Sequence, residues 1–170
     1  NQIYKSINAG KVWTRIANIG ANYTACGLAV DSKNDDLLYA ATEMGVYKSV
    51  DGGGFWSPAN LSLPDQGNKL QTLAILSDPV QPNTVYTVFR KYGIYISGDA
   101  GQTWKSLLST FISTPSSGIP SGIRPTFTPI PSSGTGCSAT SSEFSILASS
   151  PTKPRYLYIG GNGVGVWRFD

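Results

Sequence analysis

Ile94-Tyr95-Ile96-Ser97-Gly98-Asp99-Ala100-Gly101-Gln102-Thr103-Trp104 reads as a strand, a tight turn and the start of a second strand. An apolar run closes at Ser97, a turn containing Gly and Asp follows, and an aromatic residue reopens the β pattern. Two other stretches fit the same frame: Ile3-Tyr-Lys-Ser-Ile-Asn-Ala-Gly-Lys-Val-Trp13 and Val46-Tyr-Lys-Ser-Val-Asp-Gly-Gly-Gly-Phe-Trp56. The frame is Ser-x-Asp/Asn-x-Gly-x-x-Trp. It is filled by Ser6, Asn8, Gly10 and Trp13, by Ser49, Asp51, Gly53 and Trp56, and by Ser97, Asp99, Gly101 and Trp104. Successive frames are 43 and 48 residues apart.

Repeats with a period of about 40 to 50 residues are those of β-propeller blades. More than the frame recurs. Leu28-Ala-Val-Asp31 and then Leu38-Tyr-Ala-Ala41 precede the second copy, while Ala74-Ile-Leu-Ser-Asp78 and then Val85-Tyr-Thr-Val88 precede the third. In both, a tyrosine follows the aspartate by eight residues. A last copy runs Ile146-Leu-Ala-Ser149, Tyr156-Leu-Tyr-Ile159 and Gly165-Val-Trp-Arg168, and stops before any frame. Each run is short, β-rich and bounded by Gly, Pro, Asn or Asp. The expected fold is all-β, with blades of four antiparallel strands and the frame as the hairpin between strands three and four.

Turn chemistry explains the residues of the frame. Glycine supplies a backbone angle that a side chain opposes. The Asp or Asn oxygen accepts backbone N–H groups of its own turn, and the serine adds a weaker bond of the same kind. The tryptophan is expected to cover the hairpin and bury a large ring. Calcium fits poorly, because each frame offers one carboxylate at most and Asn8 removes it from the first, whereas calcium takes six to eight oxygens. No metal and no cofactor is expected.

The frame resembles the Asp-box, or BNR, repeat of sialidases, xyloglucan-cleaving glycoside hydrolases, sortilin-type receptor ectodomains and photosystem II assembly factors of the propeller kind. The likeness covers most of the chain outside residues 110–142. Phe55 stands where threonine is usual, and Asn8 where aspartate is usual. The resemblance implies a propeller and says little about activity, since enzymes and non-enzymes use the same box.

Counting strands gives a partial blade over 1–18, blades over 24–60 and 70–109, an insertion over 110–142 and a partial blade over 143–170. Closed propellers usually have four to eight four-stranded blades. The remaining blades are therefore expected either from a longer parent chain or from a second copy that closes one ring. The insertion is rich in Ser, Thr, Pro and Gly, but Phe111, Ile119, Ile123, Phe127 and Ile130 could anchor it. It is expected to be a tolerated surface insertion, or else a lid or a binding loop.

Composition narrows the function classes. In 170 residues, 40% are hydrophobic and 14% charged, with a net charge of +3 and no basic cluster, so neither a nucleic-acid footprint nor a polybasic membrane segment is present. No run of about 18 apolar residues exists to span a bilayer as a helix. The chain has no histidine, which excludes a Ser-His-Asp triad, a Cys-His dyad and a His-ligated zinc within it. The two cysteines, Cys26 and Cys137, permit one disulfide or two buried thiols. The chain opens on Asn1 rather than Met, which gives the expectation of a processed or trimmed N-terminus in a secreted or otherwise extracytoplasmic protein. Asn22-Tyr23-Thr24 and Asn60-Leu61-Ser62 match the N-glycosylation triplet.

The loops joining strands two and three, and those joining blades, are expected on the face opposite the boxes, where families of this kind hold their sites. Glu43, Asp65, Arg90, Tyr92 and Asn162 fall there, and a carboxylate, a forked cation and an aromatic ring can hold a sugar or a peptide acid. The plainer reading makes Glu43 and Arg90 ordinary solvated loop charges, either separate or paired with each other. The five arginines, at 15, 90, 124, 155 and 168, carry no sialidase motif. A glycoside hydrolase needs two carboxylates facing a cleft, for which only Glu43, Asp65, Asp35 and Asp36 remain. No catalytic residue is assigned. The expected function is an interaction module binding a glycan or a protein through its loop face. The alternatives are part of a secreted carbohydrate-active enzyme sharing its site with further blades, and an assembly factor.

Overall fold

The computed structural model describes residues 3–16, 18–20, 23–64, 70–90, 92–107, 143–149, 157–162 and 165–169, with backbone alone for 143–146, 159–162 and 165–169. Thirteen strands are described, in four antiparallel sheets. The first sheet pairs β1 (Tyr4–Lys5) with β2 (Thr14–Arg15). The second is β3 (Ala25–Val30), β4 (Leu38–Thr42), β5 (Gly45–Ser49) and β6 (Ser57–Pro58), in that spatial order. The third repeats it with β7 (Thr72–Ser77), β8 (Val85–Phe89), β9 (Gly93–Ser97) and β10 (Lys105–Ser106). The fourth contains β11 (Glu143–Ser149), β12 (Leu157–Asn162) and β13 (Gly165–Phe169).

Consecutive strands pair throughout, so each sheet is a meander of hairpins. The second and third sheets carry the same irregularity at the same place, between Ala25 and Gly27 and between Thr72 and Ala74. The two sheets are copies in detail. The sheets face one another: β7 packs on β3 and β4, and β11 on β7 and β8.

Strand alternation divides the core into seams. In β4, Tyr39 and Ala41 face the third sheet and join a core cluster with Val46 and Ala59 of their own sheet and Ile75, Val85, Phe89 and Trp104 of the third. Leu38 and Ala40 face the other way, toward Ile3, Ile19, Tyr47 and Trp56. Leu73, Val88, Ile94 and Leu157 fill the seam between the third and fourth sheets. A strand buried on both faces reads as a continuous apolar run, which is why Leu37-Leu-Tyr-Ala-Ala41 shows no polar alternation.

In the third sheet the Asp78–Tyr86 pair, at a spacing of eight, closes the turn between the first two strands, whereas the Tyr39 hydroxyl makes no such bond to Asp31. Asp78 Oδ1 accepts the amides of Val80 and Gln81 at 2.9 and 2.8 Å, and the Tyr86 hydroxyl donates to Asp78 Oδ2 at 3.4 Å. Asp31 does more. Its Oδ1 accepts the Lys33 amide at 3.0 Å, and its Oδ2 accepts the Asn83 amide at 2.7 Å across the seam. Among the described residues, no helix is long and apolar enough to cross a membrane, which says nothing of strands.

Candidate functional site

The three boxes share one hydrogen-bond pattern. In the third, the Ser97 hydroxyl donates to Asp99 Oδ1 at 2.8 Å and accepts the Gly101 amide at 2.8 Å, while Asp99 Oδ1 accepts the Thr103 amide at 2.8 Å. In the second, Ser49 accepts the Gly53 amide at 2.9 Å and Asp51 Oδ1 accepts that of Phe55 at 2.9 Å. In the first, the Asn8 amide oxygen accepts the Val12 amide at 2.8 Å, in the carboxylate's place. The Asn oxygen performs the same task without a charge. Both central turn residues are left-handed, at φ 55° and 82° for Ala9 and Gly10 and 60° and 76° for Ala100 and Gly101. The fixed acceptors offset that backbone strain.

Charge follows from this geometry. Asp99 is penalised by desolvation, but the Thr103 hydroxyl and amide, the Ser97 hydroxyl and the Gln102 amide outweigh it and bring its pKa down to about 2. The Phe55 amide and the Ser49 hydroxyl lower that of Asp51. Every acceptor position of these carboxylates that the bonds reveal points back into the turn. Among the described residues, no three His, Cys, Asp or Glu side chains gather to hold a metal.

The box tryptophans each rest on their own turn, but they differ in burial and in where the indole donates. Trp104 is buried, and its indole donates to the Ala59 carbonyl of the preceding sheet at 2.8 Å. Trp56 is buried as well and donates to Gly53 within its own turn at 3.1 Å. Trp13 is 61% exposed.

The loop end is stitched by the backbone. The Glu43 amide donates to Thr24 at 3.4 Å, the Gln71 amide to Glu43 at 3.0 Å and the Arg90 amide to Gln71 at 3.0 Å. Glu43 and Arg90, on different sheets, thereby share one rim through Gln71. Both are half-buried, and Arg90 Nε and Nη1 are shielded from solvent. Tyr92 is half-buried and packs against the core of the seam, so only part of its ring faces outward. Asn162 ends β12 at the corresponding end of the fourth sheet, opposite Glu143 in register. Asp65 lies outside the described residues. Asp35 and Asp36 belong to the opposite end: the Asp36 carbonyl accepts the Gly52 amide of the second box at 3.0 Å. Glu43 is therefore the one acidic side chain described at the loop end.

Two residues of this rim carry no sequence motif for it. Gln71 is a non-glycine residue at φ 49°, bonded to both neighbouring loops. Asn60 is the other, noticed only as a glycosylation triplet. Its Oδ1 accepts the Val46 amide at 2.8 Å and its Nδ2 donates to the Met44 carbonyl at 3.4 Å, holding the loop that carries Glu43. The nitrogen that would take a glycan is thus engaged. Cys26 is disulfide-bonded, and Cys137 lies outside the described residues. Beside Cys26, Ile3, Tyr4, Ala25, Gly27 and Leu28 line an open cleft of about 320 Å³, with no carboxylate or basic side chain among these described lining residues.

Four-stranded meanders packed face to face in series settle the architecture. The sheets are β-propeller blades. No protein-family model matches the sequence, and no curated protein matches it. Solved structures do match. The GH74 xyloglucanase from Xanthomonas campestris is similar at 19% identity and TM-score 0.57, over 99% of this chain and 25% of that one. The Niastella koreensis GH74 enzyme is similar at 27% identity and TM-score 0.47, over 62% of this chain and 18% of that one. YCF48 from Cyanidioschyzon merolae is similar at 13% identity and TM-score 0.46, over 86% and 37% respectively. The chain thus spans between 18% and 37% of the length of these three proteins. The first of these likenesses carries the fold and nothing of the chemistry.

Proposed function

We propose that this chain supplies blades to a larger propeller and binds a glycan or a protein segment through its loop end, in an extracytoplasmic setting. One observation supports the reading: the backbone-bonded run Thr24–Glu43–Gln71–Arg90 ties together the loops of two adjacent blades that carry an acidic and a basic residue. A ligand laid across that end meets loops whose backbone is already bonded, which lowers the ordering cost of binding. In this reading the Glu43 carboxylate accepts hydrogen bonds from sugar hydroxyls or peptide amides, and Arg90 adds positive potential. The disulfide at Cys26 supports the setting, because such bonds persist in oxidising compartments.

The test is chemical-shift mapping on the full chain, with xyloglucan oligosaccharide, sialyl-lactose and an acidic peptide as probes. Shifts centred on Glu43, Met44, Gln71 and Arg90 and weakened by Glu43→Gln are expected for at least one probe. Shifts confined to the boxes, or none with any probe, count against the reading. Release of reducing sugar, lost in Glu43→Gln or Asp65→Asn, would instead place the chain in a carbohydrate-active enzyme.

A further inference from the structure

We propose that the first box is a seat for a preceding propeller blade, with the Trp13 indole as donor to a backbone carbonyl of that blade. The three boxes are built alike, down to the tryptophan. The position a Cβ would take on the box glycine lies 3.9 Å from Trp13 Cζ2, 3.8 Å from Trp56 Cζ2 and 3.7 Å from Trp104 Cζ2. Each ring therefore rests on its own turn in the same way. Exposure nevertheless differs widely: 3% for Trp104 and 5% for Trp56, against 61% for Trp13. What differs is the neighbour, not the box.

That neighbour is visible for the other two. The third box sits on the second sheet, with Gly101 against Tyr39 and Ala59 and the Trp104 indole on the Ala59 carbonyl. The second sits on the first sheet, with Gly53 against Ile16 and Trp56 in the cluster of Ile3 and Ile19. Ala59 and Ile16 are equivalent, each three residues past its box tryptophan, and their amides donate to Val46 and Ile3. The first box offers Ile7, Val12 and Trp13, at 92%, 60% and 61% exposure, to no described residue of this kind. An exposed cluster of this make, ending in an indole N–H, fits an apolar surface that carries one carbonyl.

The occupant is a blade from polypeptide outside these 170 residues. On a second copy the Ala59 carbonyl already accepts Trp104 and the third sheet packs on the fourth, so these two surfaces are taken. The experiment is a fusion in which a duplicate of residues 24–93 replaces Asn1 and Gln2 ahead of Ile3. This sets Trp13 in the frame of Trp104 and gives it a duplicate of Ala59. Emission of parent minus Trp13→Phe isolates this indole. In the fusion it is expected to shift blue, with acrylamide quenching reduced severalfold. A folded fusion whose Trp13 stays as quenchable as in the unfused chain overturns the proposal. So does concentration-dependent shielding of Trp13 in the unfused chain, which would seat a second copy there. Should the fusion fail to fold, the unfused chain decides. Trp13→Ala is expected to leave Tm within about 2 °C, and Trp104→Ala to lower it by at least about 6 °C. Equal losses overturn the proposal.

Discussion

The indole of Trp104 donates to the carbonyl of Ala59 across the seam between two sheets, at 2.8 Å and out of reach of water. The box thus serves two tasks at once, closing its own turn and fastening one blade to the previous one. Trp104→Phe keeps most of the apolar volume but strands the carbonyl. A loss of about 1–3 kcal/mol in urea unfolding is expected.

The box glycines should separate sharply from an ordinary turn glycine. Gly53 has φ 98° and a Cβ there would meet Ile16, so Gly53→Ala is expected to cost about 1–3 kcal/mol. Gly98 has no such φ and open space around it, and Gly98→Ala should stay within about 0.5 kcal/mol. Thermal melts of the two variants check the contrast.

Tyr39 gives a prediction of the opposite sign. Its hydroxyl is buried without a hydrogen-bond partner among the described residues, and burial, then the charges of Asp31 and Asp99, drive its pKa upward. Tyr39→Phe removes a stranded polar atom and keeps the ring. It is expected to be neutral or to stabilise by up to about 1 kcal/mol, read from the urea midpoint.

Acid should loosen the boxes. The Asp99 pKa lies at about 2 in the fold, below its ordinary value, and that of Asp51 is lowered too. Depressed carboxylates contribute stability that is full above their unfolded pKa and is lost as pH falls through the folded one. Tm should therefore hold above about pH 4 and decline from there toward pH 2. Asn8 shows that an amide oxygen keeps the turn. The Asp51→Asn, Asp99→Asn double variant should accordingly show a flatter Tm profile over that window.

Asn60 is expected to matter as a brace for the rim. Asn60→Ala leaves the Val46 amide without its acceptor and should cost about 1–2 kcal/mol, while Asn60→Asp retains that acceptor and should cost less. Urea unfolding of the pair measures the difference.

The strands, the hairpins and the blade repeat were legible because they rest on short-range chemistry. Ser97, Asp99 and Gly101 satisfy one another within a single turn, and Leu37 to Ala41 announce burial on both faces. What was not legible spans sheets. Nothing near Trp104 in sequence names Ala59, 45 positions earlier, as its acceptor. Gln71 carries no mark of a left-handed residue tied to two loops, and Asn60 matched a modification triplet while acting as a strut. Glu43 and Arg90 were placed on one rim by topology. Their half-burial depended on packing that no local pattern encodes.

The most direct test of the boxes as seam fasteners is hydrogen exchange at the indole N–H groups, read as separate cross-peaks in ¹⁵N-labelled protein. The account predicts strong protection for Trp104, held on Ala59, and exchange near the free rate for Trp13. Equal rates at these two indoles, fast or slow, would contradict it.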